Sequence, residues 1–256
     1  MKSSNDNYII QVKHLKTVLN EKVVHRNVNL DVLKGETMLV IGGSGCGKSV
    51  LFKIIVGLLQ PTEGSIFICG IDITKAKNRQ MDEVRKKFGV LFQSAALFDS
   101  MTVAENVAFA LFRQTTLSSK EIDNIVDEKL DQVGLHGIKH LKPSELSGGM
   151  QKRVGLARAI AMNPEIILYD EPTTGLDPIM ADIINDLILQ LQEQLNVTSI
   201  VVTHDMTSAF KVGNRIAMLN DGEIIAVGTT DEIKKSSNPY VYQFVTGNSD
   251  GPLRFE

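Results

Sequence analysis

The spacing of apolar positions changes several times along the chain, and each change marks an element. From Tyr8 to Leu15, and again over Val28-Asn29-Leu30-Asp31-Val32, apolar and polar residues alternate, the period of a strand with one covered face; Asn20-Glu21 reads as a turn between them. After a turn at Lys34-Gly35-Glu36, Met38-Leu39-Val40-Ile41 is apolar throughout and predicts a short buried strand. Val50-Leu51-Phe52-Lys53-Ile54-Ile55 switches to helical spacing, and Pro61-Thr62-Glu63-Gly64 ends that helix. Ser65 to Cys69 reads as a strand, Lys75 to Lys87 as a charged, solvated helix, and Phe88-Gly89-Val90-Leu91-Phe92 as a buried strand ending at Gln93.

From Ser94 to about Asn163 the period is helical. Val103, Val107, Ala110 and Leu111 share a face behind Thr102, with Glu105 placed to complete a capping box. Ile122 to Val133 forms a second amphipathic run, stopped by Gly134; Pro143-Ser144-Glu145 reads as a linker. A third helix runs from Met150 to the stop at Asn163-Pro164. Strand and helix then alternate: Glu165 to Tyr169, a helix from Pro178 with Ile183, Ile184, Leu187, Leu191 and Leu195 in register, and Thr198 to Thr203. That alternation predicts a mainly parallel sheet with helices on its faces. Arg215 to Leu219, Asn220-Asp221-Gly222 and Glu223 to Val227 predict a hairpin. The expected fold class is α/β. Its core and antiparallel β part occupy 8–93 and 164–237, an inserted helical subdomain 94–163, and a C-terminal docking tail 238–256. The tail reads as irregular, yet it carries Tyr240, Tyr242, Phe244, Leu253 and Phe255.

Composition narrows the class. With 256 residues, 43% hydrophobic and 22% charged, the chain is an ordinary globular protein that should bury roughly three-quarters of its unfolded surface. Its two cysteines, Cys46 and Cys69, make neither a disulfide framework nor a metal pattern and fit a reducing cytosol. A net charge of −3 argues against nucleic acid as the main partner. The polar start, Met1 to Asn7, is not a signal peptide, and no apolar run approaches the ~18 residues of a membrane helix.

Chemistry enters at Gly42-Gly43-Ser44-Gly45-Cys46-Gly47-Lys48-Ser49, between the apolar strand and the helix that starts near Lys48. Glycines let the backbone curl so that successive N–H groups converge on one anion, and the helix N-terminus adds its positive end. Lys48 can reach the β- and γ-phosphates of a nucleoside triphosphate, and the Ser49 hydroxyl suits Mg²⁺. Cys46 reads as a loop filler. Asp170 and Glu171 end a buried strand, where α/β sheets bind ligands. Asp170 suits Mg²⁺; Glu171 can orient or deprotonate an attacking water. Gln93 and His204 also end buried strands, within reach of Mg²⁺ or the lytic water and of the γ-phosphate respectively. Without the phosphate loop, the acids would read as a solvated loop and the histidine as structural. Leu146-Ser147-Gly148-Gly149-Met150-Gln151 is a second glycine turn before a second helix N-terminus. One chain with two half-sites suggests two chains sharing two nucleotides.

With these motifs in order, the sequence resembles an ATP-binding cassette (ABC) transporter ATPase over nearly its full length, a P-loop NTPase. Gly42 to Ser49 matches Walker A, Gln93 the Q-loop, Leu146 to Met150 the signature, Ile166 to Glu171 Walker B, Thr174 to Asp177 the D-loop and His204 the switch histidine. The resemblance implies ATP and Mg²⁺ as cofactors. Gly42, Gly43, Ser44, Gly45, Cys46, Gly47, Lys48, Ser49, Val50 and Asp177 would hold nucleotide, with Ser147, Gly148 and Gly149 acting from a second copy in a head-to-tail sandwich. Ser49, Gln93 and Asp170 would hold the metal; Glu171, His204 and Gln93 would serve hydrolysis. It further implies an integral membrane permease as partner and a place on the cytoplasmic face of the inner membrane. Phe92 to Val107, Ser144 to Met150 and Gln243 to Pro252 resemble the ATPases of Mla-type phospholipid transporters, which pair with an MlaE-like permease and MCE-domain proteins. Cassettes for amino acids, metals or drugs, and non-transport ABC ATPases, are the alternatives. Two positions depart from the family pattern. Leu19 stands near the place of an adenine-stacking aromatic, with no aromatic residue between Tyr8 and Phe52; Met150 stands where Gln is usual.

Overall fold

The computed structural model describes residues 7–254. Phe255 of the tail and most of the polar start lie outside them. The chain divides into two compact units, one made of the residues up to Arg85 with those from Thr198 onward, the other of Lys86–Val197.

In the first unit the strands follow the spatial order β5 (Ile71–Asp72), β4 (Glu63–Ile68), β1 (Tyr8–Leu19), β2 (Lys22–Leu33), β10 (Glu223–Thr229), β9 (Arg215–Asn220), β3 (Thr37–Ile41) and β8 (Thr198–Val202). The β5–β4–β1–β2 end is antiparallel; β3 runs parallel to both β9 and β8. Every residue of β3 and β8 is buried, as expected of parallel strands covered on both faces. Each such Ile, Leu or Val stabilises the core by about 1.5–3 kcal/mol. Helix α1 (Lys48–Ile55) buries Leu51, Phe52, Ile54 and Ile55, and the otherwise charged α2 (Asn78–Arg85) buries Met81 and Val84.

β1 and β2 are longer than the alternation predicts. His14 sits at φ 50°, in a register shift between Val12 and Leu15, so the buried series Ile10, Val12 resumes as Leu15, Thr17. The bulge changes the phase of the pattern, which is why the strand reads as ending at Leu15. The tail also differs from its irregular reading. It forms α9 (Pro239–Thr246), capped by the Asn238 side chain, with Val241 buried and Tyr242 exposed. The amide of Gln243 then folds the following residues back, accepting from Leu253 N at 2.7 Å and donating to Leu253 O at 3.2 Å. Short helices α7 (Met206–Val212) and α8 (Thr230–Lys234) were not legible as separate periods.

In the second unit β6 (Phe88–Leu91) pairs in parallel with β7 (Ile166–Asp170), and α3 (Val103–Gln114), α4 (Ser119–Gln132) and α5 (Gly148–Ile160) pack on one another. The capping box expected at Thr102 and Glu105 is present, Thr102 N donating to Glu105 Oε2 at 2.7 Å and Thr102 Oγ1 accepting from Glu105 N at 3.2 Å. The expected linker at Pro143–Glu145 is a 3₁₀ turn, and α5 begins at Gly148, with Ser147 as its N-cap. α5 lies close on β6: a Cβ on Gly89 would come 2.3 Å from Ala159 O, and one on Gly155 2.7 Å from Leu91 Cδ1. This contact carries the Ser147 turn and the end of β6 on the same rigid pair. Helix α6 (Pro178–Leu195) completes the unit. No helix among the described residues is long and apolar enough to cross a membrane.

Candidate functional site

In the first unit, parallel pairing brings two predicted features to one sheet edge. Val40 pairs with Val202, so the glycine loop after β3 and His204 after β8 leave neighbouring strands at their C-terminal ends. Thr203 N donates to Val40 O at 3.3 Å, and His204 is exposed. The loop needs its glycines. Gly42, Gly45 and Gly47 have φ of 153°, 74° and 107°, and a Cβ on Gly42 would come 2.2 Å from Leu219 O. The Lys48 ammonium is buried and donates to Gly42 O at 2.8 Å and Gly43 O at 2.9 Å. Gly47 offers no side-chain cap to α1, whereas Thr102, Ser118 and Thr229 cap their helices with their own oxygens. The first turn of α1 thus carries no side-chain cap, an arrangement that fits a phosphate. Burial pushes the Cys46 thiol above its ordinary value, with Lys48 opposing, so it stays protonated and unreactive at neutral pH. A cavity of about 500 Å³ opens beside the loop, lined by Ser44 to Val50, by Lys22, Val23 and Val24 of β2, and by Asn220 to Gly222.

In the second unit, Leu91 pairs with Tyr169, so Gln93 follows β6 where Asp170 and Glu171 close β7. Glu171 has φ 48°, the left-handed region that costs a side-chain-bearing residue of order 1 kcal/mol or more. Its Oε2 accepts from Thr174 Oγ1 at 3.0 Å. Asp177 caps α6, Oδ1 accepting from Ile179 N and Met180 N at 3.0 Å each. At the signature turn, Ser147 Oγ accepts from Met150 N at 3.3 Å. Gln151 does not stand in for the missing glutamine, because its amide turns back to the carbonyls of Pro143 (3.0 Å) and Leu146 (3.3 Å). Within the second unit, Asp170 carries a carboxylate and Gln93 an amide oxygen, and in the first unit Ser49 carries a hydroxyl, each an oxygen donor of the kind that suits Mg²⁺.

Three residues that the sequence reading passed over hold these loops. Lys152, on α5, donates to Gln93 O and Glu171 O. Arg158, further along α5, donates to the carbonyls of Ala95 and Ala96, two residues at positive φ. In the first unit, the fully buried His25 bridges strand and loop: Nε2 lies 3.1 Å from Gly47 O and Nδ1 3.0 Å from Thr17 Oγ1. A carbonyl only accepts, so Nε2 carries the hydrogen and Nδ1 accepts from the hydroxyl. Nothing in the local pattern distinguishes these residues from solvated lysine and arginine or from an ordinary core histidine.

Burial pushes His25 below the ordinary value of 6.5, against the opposing bond to Gly47. Below 6.5 the unfolded chain takes up a proton that the folded chain refuses. Stability from this group is therefore complete above about 6.5 and is lost as pH falls from there towards the lowered folded value, at no more than about 1.4 kcal/mol per pH unit. Thermal unfolding of the protein and of His25→Leu between pH 7.5 and 5.5 should show a shallower acid loss in the variant. Parallel curves would remove His25 from the acid response.

The ABC transporter family model matches residues 25–174. The chain is 45% identical, over 97% of its length and 94% of the relative's, to the intermembrane phospholipid transport system ATP-binding protein MlaF of Haemophilus influenzae. It is 41% identical, over 95% of its length and 70% of the relative's, to a probable ribonucleotide transport ATP-binding protein of Mycobacterium leprae. Among solved structures, an ATP-binding cassette in a dimeric, post-hydrolysis state with ADP and Pi superposes with a TM-score of 0.79 at 35% identity, covering 86% of this chain and 98% of that one. Strand, uncapped glycine loop and buried lysine thus sit in the setting where these relatives handle ATP, and the chain belongs to the ABC transporter family as one of its ATP-hydrolysing subunits.

Proposed function

We propose that this chain powers a phospholipid transporter from the cytoplasmic face of the inner membrane. The observation that carries the reading is the 45% identity, across nearly all of both chains, with a relative named for intermembrane phospholipid transport. Lys48 and the N–H groups at the start of α1 take the β- and γ-phosphates, and the loop from Gly42 to Val50 wraps them. Val23 and Val24, lining the cavity beside the loop, support an aliphatic rather than aromatic seat for adenine. By this reading Ser49, Asp170 and Gln93 would hold Mg²⁺, which would supply positive charge against the phosphates. Glu171 orients and deprotonates the attacking water, and His204 contacts the γ-phosphate.

The opposite wall comes from a second copy, through Ser147, Gly148 and Gly149 at the start of α5 and Asp177 at the start of α6. The dimeric state of the solved cassette supports this arrangement. So does Ile179, two residues after Asp177 and 74% exposed, an apolar side chain that a second copy would cover. Closure on ATP and reopening after hydrolysis drive the partner, because only a ligand that prefers the closed state can shift it. That partner is an MlaE-like permease, in a complex that includes an MCE-domain lipid-binding protein. Its coupling helices meet the helical subdomain, residues 94–163, where Phe98 and Phe112 are exposed.

The test is purification of the tagged chain from detergent-extracted membranes, with mass spectrometry of protein and bound lipid. The expected result is one integral membrane protein, a second copy of this chain and phospholipid in the complex. Recovery without a membrane protein would overturn the transport reading. A permease complex free of phospholipid, with ATPase stimulated by ribonucleotides, would move the cargo to the class named for the mycobacterial relative.

A further inference from the structure

We infer that Lys152 is a positioning residue that ties the signature-bearing helix to both the Gln93 loop and the Glu171 loop, so that a shift of α5 moves the two loops together. The geometry rests on one ammonium. Lys152 is 5% exposed, five residues after Ser147, and its Nζ donates to the carbonyl of Gln93 and, at 3.2 Å, to that of Glu171. An ammonium has three donors and accepts nothing, so two backbone oxygens from two different loops are gathered on one point. A donor group this deeply placed must have its N–H bonds taken up, and here the carbonyls of both loops take them.

The second carbonyl matters more than the first. Glu171 occupies φ 48°, a conformation that its surroundings must impose. Two donors converge on its carbonyl: Lys152 Nζ and, at 3.3 Å, Thr174 N. With the carbonyl fixed and the carboxylate held by Thr174 Oγ1, the side chain has little freedom left. Arg158 acts two turns further along α5 in the same sense, its guanidinium holding the carbonyls of Ala95 and Ala96 after Gln93. The close contacts of Gly89 and Gly155 keep α5 against β6, so the helix, the strand and the loops these cations hold move as one body.

This inference rests on the proposed roles of Gln93 and Glu171. Under that reading, Ser147 at one end of α5 serves the nucleotide of a second copy, while Lys152 on the same helix aligns the hydrolytic loop of its own chain. Capping of the partner's γ-phosphate and alignment of the chain's own Glu171 are then mechanically one event, linking the two sites of a dimer through a single side chain.

The test compares Lys152→Met, Lys152→Gln and Lys152→Arg in the full chain for ATPase kcat, KM for ATP and thermal midpoint, with Glu171→Gln alongside. Loss of alignment predicts a kcat roughly 10- to 100-fold lower in Lys152→Met with KM within about threefold of the parent, because a misplacement near 1 Å costs on that order. Lys152→Arg, which keeps a cation with several donors, should recover kcat to within about threefold. If Lys152→Met does not fold, the Arg and Gln variants decide: Arg active with Gln impaired supports the role, and equal activity overturns it. Arg as impaired as Met, kcat unchanged in Met, or kcat losses that simply follow thermal midpoint would also overturn it. If Glu171→Gln itself turns over at the parental rate, the hydrolytic reading fails; if it is inactive while Lys152→Met is normal, only this inference fails.

Discussion

Glu171→Gln should lower ATP turnover by about 10²- to 10⁴-fold while leaving nucleotide binding intact, the range lost when a positioned general base is removed. The amide keeps the size of the carboxylate and retains an oxygen to accept from Thr174 Oγ1, which lies 3.0 Å from Glu171 Oε2 in the parent. The φ 48° backbone at this position and the bond from Lys152 to its carbonyl do not depend on the side-chain charge, so the loop should hold its shape. What the variant lacks is a base. With MgATP the substituted chain should therefore accumulate as a dimer, because the closed state is reached but not left. Turnover within tenfold of the parent, or light scattering that shows a monomer in MgATP, would remove Glu171 from its proposed role.

Lys48→Ala should weaken ATP binding by about 1.5–3 kcal/mol, roughly 10- to 150-fold in Kd, the cost of a charge-assisted contact. The loss has two parts. One is the direct interaction of the ammonium with the phosphates. The other is internal: Lys48 Nζ gathers Gly42 O and Gly43 O at 2.8 and 2.9 Å, so it also holds the loop that presents its N–H groups. Lys48→Arg separates the parts. It restores the charge, but its planar fork does not fit a compact point between two carbonyls, and it should recover less than half of the lost binding energy. Titration with a fluorescent ATP analogue reads all three proteins. Unchanged affinity in the alanine variant would take the loop out of nucleotide binding.

Much of the site was legible because its residues are fixed by chain-local geometry. A phosphate loop must leave a strand and enter a helix, and Met38 to Ile55 states both in eighteen consecutive positions. Acids at the end of Ile166 to Tyr169 follow from the same rule, since a short, fully apolar run in a strand–helix alternation reads as a buried strand whose end reaches the sheet edge. The two cations and the imidazole that brace these loops were not legible for the opposite reason. Lys152 is 59 residues from Gln93, Arg158 63 from Ala95, and His25 22 from Gly47; each binds a backbone carbonyl, which leaves no mark in sequence.

The sequence by itself determined the order of the longer strands and helices, the capping box at Thr102, the hairpin at Asn220 to Gly222 and the motif set of an ABC transporter ATPase. These depend on residue type and short-range spacing. Only the tertiary structure decided where the β1 alternation changes phase, that Gln151 serves its own turn rather than the signature's open position, and that α9 closes on Leu253 through Gln243. It also decided that buried charge on α5 holds the backbone of two loops. Each of these rests on long-range backbone hydrogen bonds or close packing, which any polar or small residue of suitable reach could make, so composition and period are silent about them.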